Sequence, residues 1–132
     1  MLFGRKTQPP IRSLIGEGTH LRGEVRFGEG LRIDGEVHGD IVAEPESRSI
    51  LVISEKARVF GKVTAGHVII SGCIVGPVVS SELLELQPKA RIEGDVRYEV
   101  LEMHPGAVID GELKPLKAAE KPALKLAAAK EA

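Results

Sequence analysis

Four histidines (His20, His38, His67 and His104), one cysteine (Cys73) and nineteen carboxylates are the side chains of this 132-residue chain that could carry metal, nucleophilic or acid–base chemistry. A catalytic metal centre needs three or more ligands converging on one point, and the four histidines stand at unrelated places in the pattern described below. A reactive thiol needs an electropositive, accessible setting, and nothing around Cys73 demands one. As a lone cysteine it also excludes an intrachain disulfide and suggests a reducing compartment. Glu44 and Glu46 share one short insertion, too small to form a cleft for cutting a carbohydrate. No Gly-x-x-x-x-Gly-Lys-Ser/Thr loop is present to cradle a nucleotide. These residues assign no catalytic group, no cofactor and no metal.

What the sequence does specify is a repeat. Hydrophobic residues make up 42 % of the chain but aromatics only 3 %, and there are fifteen glycines, so the core must be aliphatic. One pattern (small, x, apolar, x, Gly, x, apolar) occurs six times, as in Thr19-Leu21-Gly23-Val25, Ala57-Val59-Gly61-Val63 and Ala107-Ile109-Gly111-Leu113. Its glycines are spaced 16, 22, 15, 18 and 17 residues apart. Between copies lies an apolar-x-apolar element: Leu31/Ile33, Leu51/Ile53, Val68/Ile70, Leu84/Leu86 and Leu101/Met103.

Period-two alternation in such short segments predicts strands with one buried face. A turn of roughly 17 residues with three brief strands is one coil of a parallel β-helix, with coils stacked about 4.8 Å apart. The expected fold is therefore all-β: a single-domain β-helix of about six coils with a triangular cross-section. Crossover handedness favours the right-handed form. The fixed glycine marks a tight corner, and the small residue four positions before it marks a narrow one. Glu44-Pro45-Glu46-Ser47-Arg48-Ser49 interrupts the longest interval as a surface loop.

Three stretches carry a family resemblance: Ile15-Gly16-Glu17-Gly18-Thr19, Leu31-Arg32-Ile33-Asp34-Gly35-Glu36-Val37-His38-Gly39-Asp40-Ile41 and Ala57-Arg58-Val59-Phe60-Gly61-Lys62-Val63. In this order the chain resembles the bactofilins, bacterial polymer-forming scaffold proteins, from about Leu14 to Leu113. The resemblance implies a right-handed β-helix joining end to end into nucleotide-independent filaments. It also implies residence in the cytoplasm at the inner face of the membrane, and roles in cell shape or in localising cell-wall enzymes as partners.

The same expectation of assembly follows from the fold. A β-helix without caps leaves strand edges and core open at both ends. The expected polymerisation surfaces are Leu14, Ile15, Leu21 and Val25 at one end, and Leu101, Met103, Ile109 and Leu113 at the other. On the sides, Phe60 and Val75, with Val52 and Ile69, are the apolar members of two outward columns and mark a surface for lateral contact.

The flanks divide from the body by charge. Residues 1–13 carry +3 and residues 114–132 carry +3, whereas residues 14–113 carry −7. The first segment, 1–13, reads as a flexible tail. Its Met1, Leu2 and Phe3 could enter a bilayer interface while Arg5 and Lys6 meet anionic headgroups. One such tag is weak, but a filament carries many copies. Residues 114–132, rich in Pro, Ala and Lys, read as disordered. The N-terminus shows no apolar secretory region and no run approaches a membrane span. An acidic body with few aromatics argues against specific nucleic-acid binding. The rival reading is a left-handed hexapeptide-type β-helix enzyme, an acyltransferase or γ-type carbonic anhydrase, with histidines gathered on a metal or a substrate-holding extension.

Overall fold

The computed structural model describes residues 9–46 and 48–116. They form strands and turns only, sixteen strands in all among the described residues. β1 (Ile11–Ile15), β2 (His20–Arg22) and β3 (Val25–Phe27) make the first coil. β4 (Glu29–Ile33), β5 (Glu36–His38) and β6 (Ile41–Ala43) make the second. β7 (Ser49–Ile53), β8 (Arg58–Phe60) and the first half of β9 (Val63–Ile70) make the third. The rest of β9, β10 (Cys73–Val75) and the first half of β11 (Val78–Leu86) make the fourth. The rest of β11, β12 (Arg91–Glu93) and β13 (Val96–Tyr98) make the fifth. β14 (Leu101–Met103), β15 (Val108–Asp110) and β16 (Leu113–Pro115) close the sixth.

Every pairing is parallel, between one coil and the next. This gives the expected parallel β-solenoid of six turns, with three strand columns. The first side holds β1, β4, β7, the second halves of β9 and β11, and β14. The second side holds β2, β5, β8, β10, β12 and β15. The third holds β3, β6, the first halves of β9 and β11, β13 and β16. Because β9 and β11 run through a corner unbroken, the first and third sides join into one ten-stranded sheet, while the second is a separate six-stranded one.

The repeat residues fill the interior as ladders. Leu51, Val68 and Leu84 line the first side, Val37, Val59 and Ile74 the second, and Ile41, Val63 and Val78 the third, all fully buried. Burying such a side chain stabilises by roughly 1.5–3 kcal/mol, so aliphatic ladders can stand in for an aromatic core. The two buried aromatics, Phe27 and Tyr98, lie in the first and fifth coils. On the third side Phe27 and Tyr98 bracket the small Ala43, Ala65 and Ser80. In the middle coils the chain cuts this corner closely. The Ser49 hydroxyl accepts from the Gly66 N–H at 2.8 Å, and the Ser80 hydroxyl donates to the Gly66 carbonyl at 2.8 Å. Two buried serines thus satisfy backbone that would otherwise be unpaired.

The glycine column is the opposite corner. A Cβ on Gly39, Gly61, Gly76, Gly94 or Gly111 would lie 2.0–2.5 Å from the carbonyl oxygen of the glycine one coil earlier. No side chain fits there. At the start of the fold, pairing begins at Ile11 opposite Gly30, whose missing Cβ leaves room for the Pro10 carbonyl.

Candidate assembly surfaces

Each end of the solenoid is one coil with a single neighbour. β1, β2 and β3 pair only with β4, β5 and β6; β14, β15 and β16 pair only with β11, β12 and β13. Three parallel strand edges are therefore unpaired at each end among the described residues. The core is thinner there too. Ile15, Leu21 and Val25 are only partly buried, whereas their equivalents one coil in, Ile33, Val37 and Ile41, are fully buried. Leu14 is different: it pairs with Arg32 in the outward register and is 61 % exposed, so it stands on the rim of the first side.

The other end is open over one side. Leu101 is half-buried and Met103 is 37 % exposed, while the aligned Leu84 and Leu86 are fully buried. Ile109 and Leu113 are each 3 % exposed. A charge at Ile109 would thus enter the coil's interior, and Met103 is the position where one would disturb only the rim.

The sides carry the columns expected from the repeat. On the second side, register aligns Arg22, His38 and Phe60, then Val75, Glu93 and Asp110. The His38 ring stacks on Phe60 with centroids 4.6 Å apart, and its Nε2 lies 2.6 Å from Glu36 Oε2. That hydrogen bond from His38 holds the Glu36 carboxyl below the usual carboxylate range. On the first side the column runs Arg32, Val52, Ile69, Glu85, Glu102. Here Arg32 is paired with Asp34 at 3.1 Å, and Gln87 donates to Glu85 at 2.9 Å. On the third side Arg26, Val42, Thr64, Val79, Arg97 and Lys114 face out.

The histidines do not meet. His20 and His38 lie on the second side, His67 is buried on the first between Ile50 and Leu83 in register, and His104 follows β14 at a corner. Among the described residues no three of His, Cys, Asp and Glu are placed to share a metal ion, and no helix is long and apolar enough to cross a membrane. The expected membrane-contacting residues Met1, Leu2, Phe3, Arg5 and Lys6 lie outside the described residues, as does 117–132 of the C-terminal tail. The sequence reading identified the apolar members of the side columns. The repeat alone also gives the charged members in this order, from Arg22 to Asp110 and from Arg32 to Glu102, and the strand register agrees.

Comparison with known proteins follows the same line. A family model described as "Bactofilin: Polymer-forming cytoskeletal" matches residues 13–114. A curated relative, bactofilin BacO of Myxococcus xanthus (strain DK1622), is 28 % identical over 95 residues, 72 % of each chain. Among solved structures, the cryo-EM reconstruction of Thermus thermophilus bactofilin double helical filaments superposes with a TM-score of 0.68 at 27 % identity. That match covers 77 % of this chain and 99 % of that one.

Proposed function

This chain belongs to the bactofilin family of polymer-forming cytoskeletal proteins, and we propose that its two terminal coils stack on those of further copies to build a filament without nucleotide. The observation that carries this reading is the pair of ends, each with three strand edges unpaired among the described residues, over a partly exposed aliphatic core. Stacking extends the hydrogen-bonded ladder across the junction and covers the apolar rim. Each side chain fully covered adds up to roughly 1.5–3 kcal/mol. The binding energy comes from the fold itself, so no hydrolysis step is needed to drive growth.

The filament works at the inner face of the cytoplasmic membrane. The basic, apolar start of the sequence supplies the contact, with Met1, Leu2 and Phe3 at the interface and Arg5 and Lys6 against anionic headgroups. One copy holds weakly and the polymer holds by repetition. As a scaffold it supports cell shape or gathers cell-wall enzymes along its length.

Pelleting by ultracentrifugation tests both parts, with nucleotide omitted and with or without phosphatidylglycerol-containing vesicles. The unaltered chain is expected in the pellet and on floated vesicles. Met103→Arg, which places a charge on the open rim, is expected to stay folded and in the supernatant, with vesicle binding reduced. A Met103→Arg protein that pellets like the parent removes that end from the assembly surface. Filaments that ignore anionic vesicles remove the membrane role.

A further inference from the structure

The second side of the solenoid has a charge order that fits a second copy of itself turned end for end. Its outward column runs from Arg22 and His38 through Phe60 and Val75 to Glu93 and Asp110. The midpoint falls between the third and fourth coils. Two such faces related by a two-fold axis along the strand direction bring coil one against coil six, two against five and three against four. Arg22 then meets Asp110, His38 meets Glu93, and Phe60 meets Val75, each from the other copy. The second outward column of this side adds one further opposite-charge pair, Glu36 with Arg91, while His20 meets Val108 and Arg58 meets Cys73.

Other ways of pairing two copies match charges less well. Two parallel copies would pair Glu93 with Arg91 but put Arg22 against His20 and Asp110 against Val108, leaving both end charges without a partner. The third side paired in antiparallel fashion would put Arg26 against Lys114, a like-charge contact. On the first side Arg32 is already paired with Asp34, and Glu85 accepts a hydrogen bond from Gln87. On the second side, by contrast, no ion pair among the described residues engages Arg22, Glu93 or Asp110. Val75 is 40 % exposed at the centre, and His38 lies flat on Phe60 beside it.

We infer that this side is a lateral interface at which filaments of this protein pair through antiparallel subunits. The inference rests on the end-to-end polymer proposed above. The size of the face fits that order of events. Three residues wide and six coils long, it offers on the order of 300 Å² per subunit. A stable pair of single proteins needs about 800 Å² from each partner. Isolated subunits should therefore not pair, while filaments that repeat the contact at every subunit should.

Charge exchange tests the register. The full chain is assembled and its filament width read by negative-stain electron microscopy, with folding checked by circular dichroism. The unaltered chain is expected to give paired filaments. Arg22→Glu faces Asp110 with a like charge, and Asp110→Arg does the same to Arg22, so each alone is expected to give filaments of half the width. Arg22→Glu combined with Asp110→Arg restores opposite charges and is expected to restore pairing. Pairing that persists in both single variants, or fails to return in the combination while single filaments form, overturns the inference and leaves the polymer intact. An unaltered chain that forms only single filaments overturns it as well. If the unaltered chain forms no filaments, the polymer reading itself fails and the lateral contact fails with it.

Discussion

At Gly76 the backbone has φ +147° and an added Cβ would lie 2.2 Å from the Gly61 carbonyl oxygen. Of these two constraints the second comes from stacking one corner on the next, and it recurs through the column. Gly23 separates them: its φ is +128°, yet an added Cβ would meet nothing within 4 Å, because it sits at the open end. Alanine at Gly23 should cost only the conformational strain, about 1–3 kcal/mol. Alanine at Gly76 should cost more than about 3 kcal/mol, since the clashing atom is backbone and the coils must part. Urea unfolding of both variants in a chain kept unassembled by Met103→Arg would measure the difference. Equal losses would mean that the corner is less tightly stacked than described.

Between strands, a few polar links tie one coil to the next, and two of the titrating groups set limits in pH. The Asp34 carboxyl accepts a hydrogen bond from the Ser54 side chain one coil on, with further help from Arg32, and its pKa lies below the ordinary carboxylate value. A group depressed in this way stabilises the fold fully above its unfolded pKa, near 4, and that share is lost as pH falls through the folded value. Tyr98 behaves in the opposite sense. Burial raises its phenol, so its share is complete below about pH 10 and is lost as pH rises through the folded value. Thermal midpoints measured from acid to alkaline pH should therefore fall at both extremes. Asp34→Asn should flatten the acid limb only, and Tyr98→Phe the alkaline limb only. An acid limb unchanged by Asp34→Asn would place the acid sensitivity elsewhere.

For the molecule as a whole, the period-two repeat with its fixed glycine was enough to read the solenoid, its six coils and its ladders. The reason is physical: equivalent positions in successive coils meet the same surroundings, so the pattern of one coil is copied in the next. Features that break the copy were not legible. Nothing in the pattern around Gly66 says that β9 continues through its corner, because that depends on Ser49 and Ser80, polar residues serving as interior hydrogen-bond partners. Pairing from Ile11 onward depends on Gly30, a glycine outside the repeat. The charge order of the second side was present in the sequence, but it acquires meaning only across six aligned coils.

End-on stacking of terminal coils fixes the axial repeat of the filament. Cryo-electron microscopy of filaments grown from the full chain should show rungs at about 4.8 Å running unbroken through the subunit junctions. The subunit rise should then be that of six rungs, about 29 Å. A rise well above this, or rungs interrupted at each junction, would mean that the subunits join by surfaces other than their open coils.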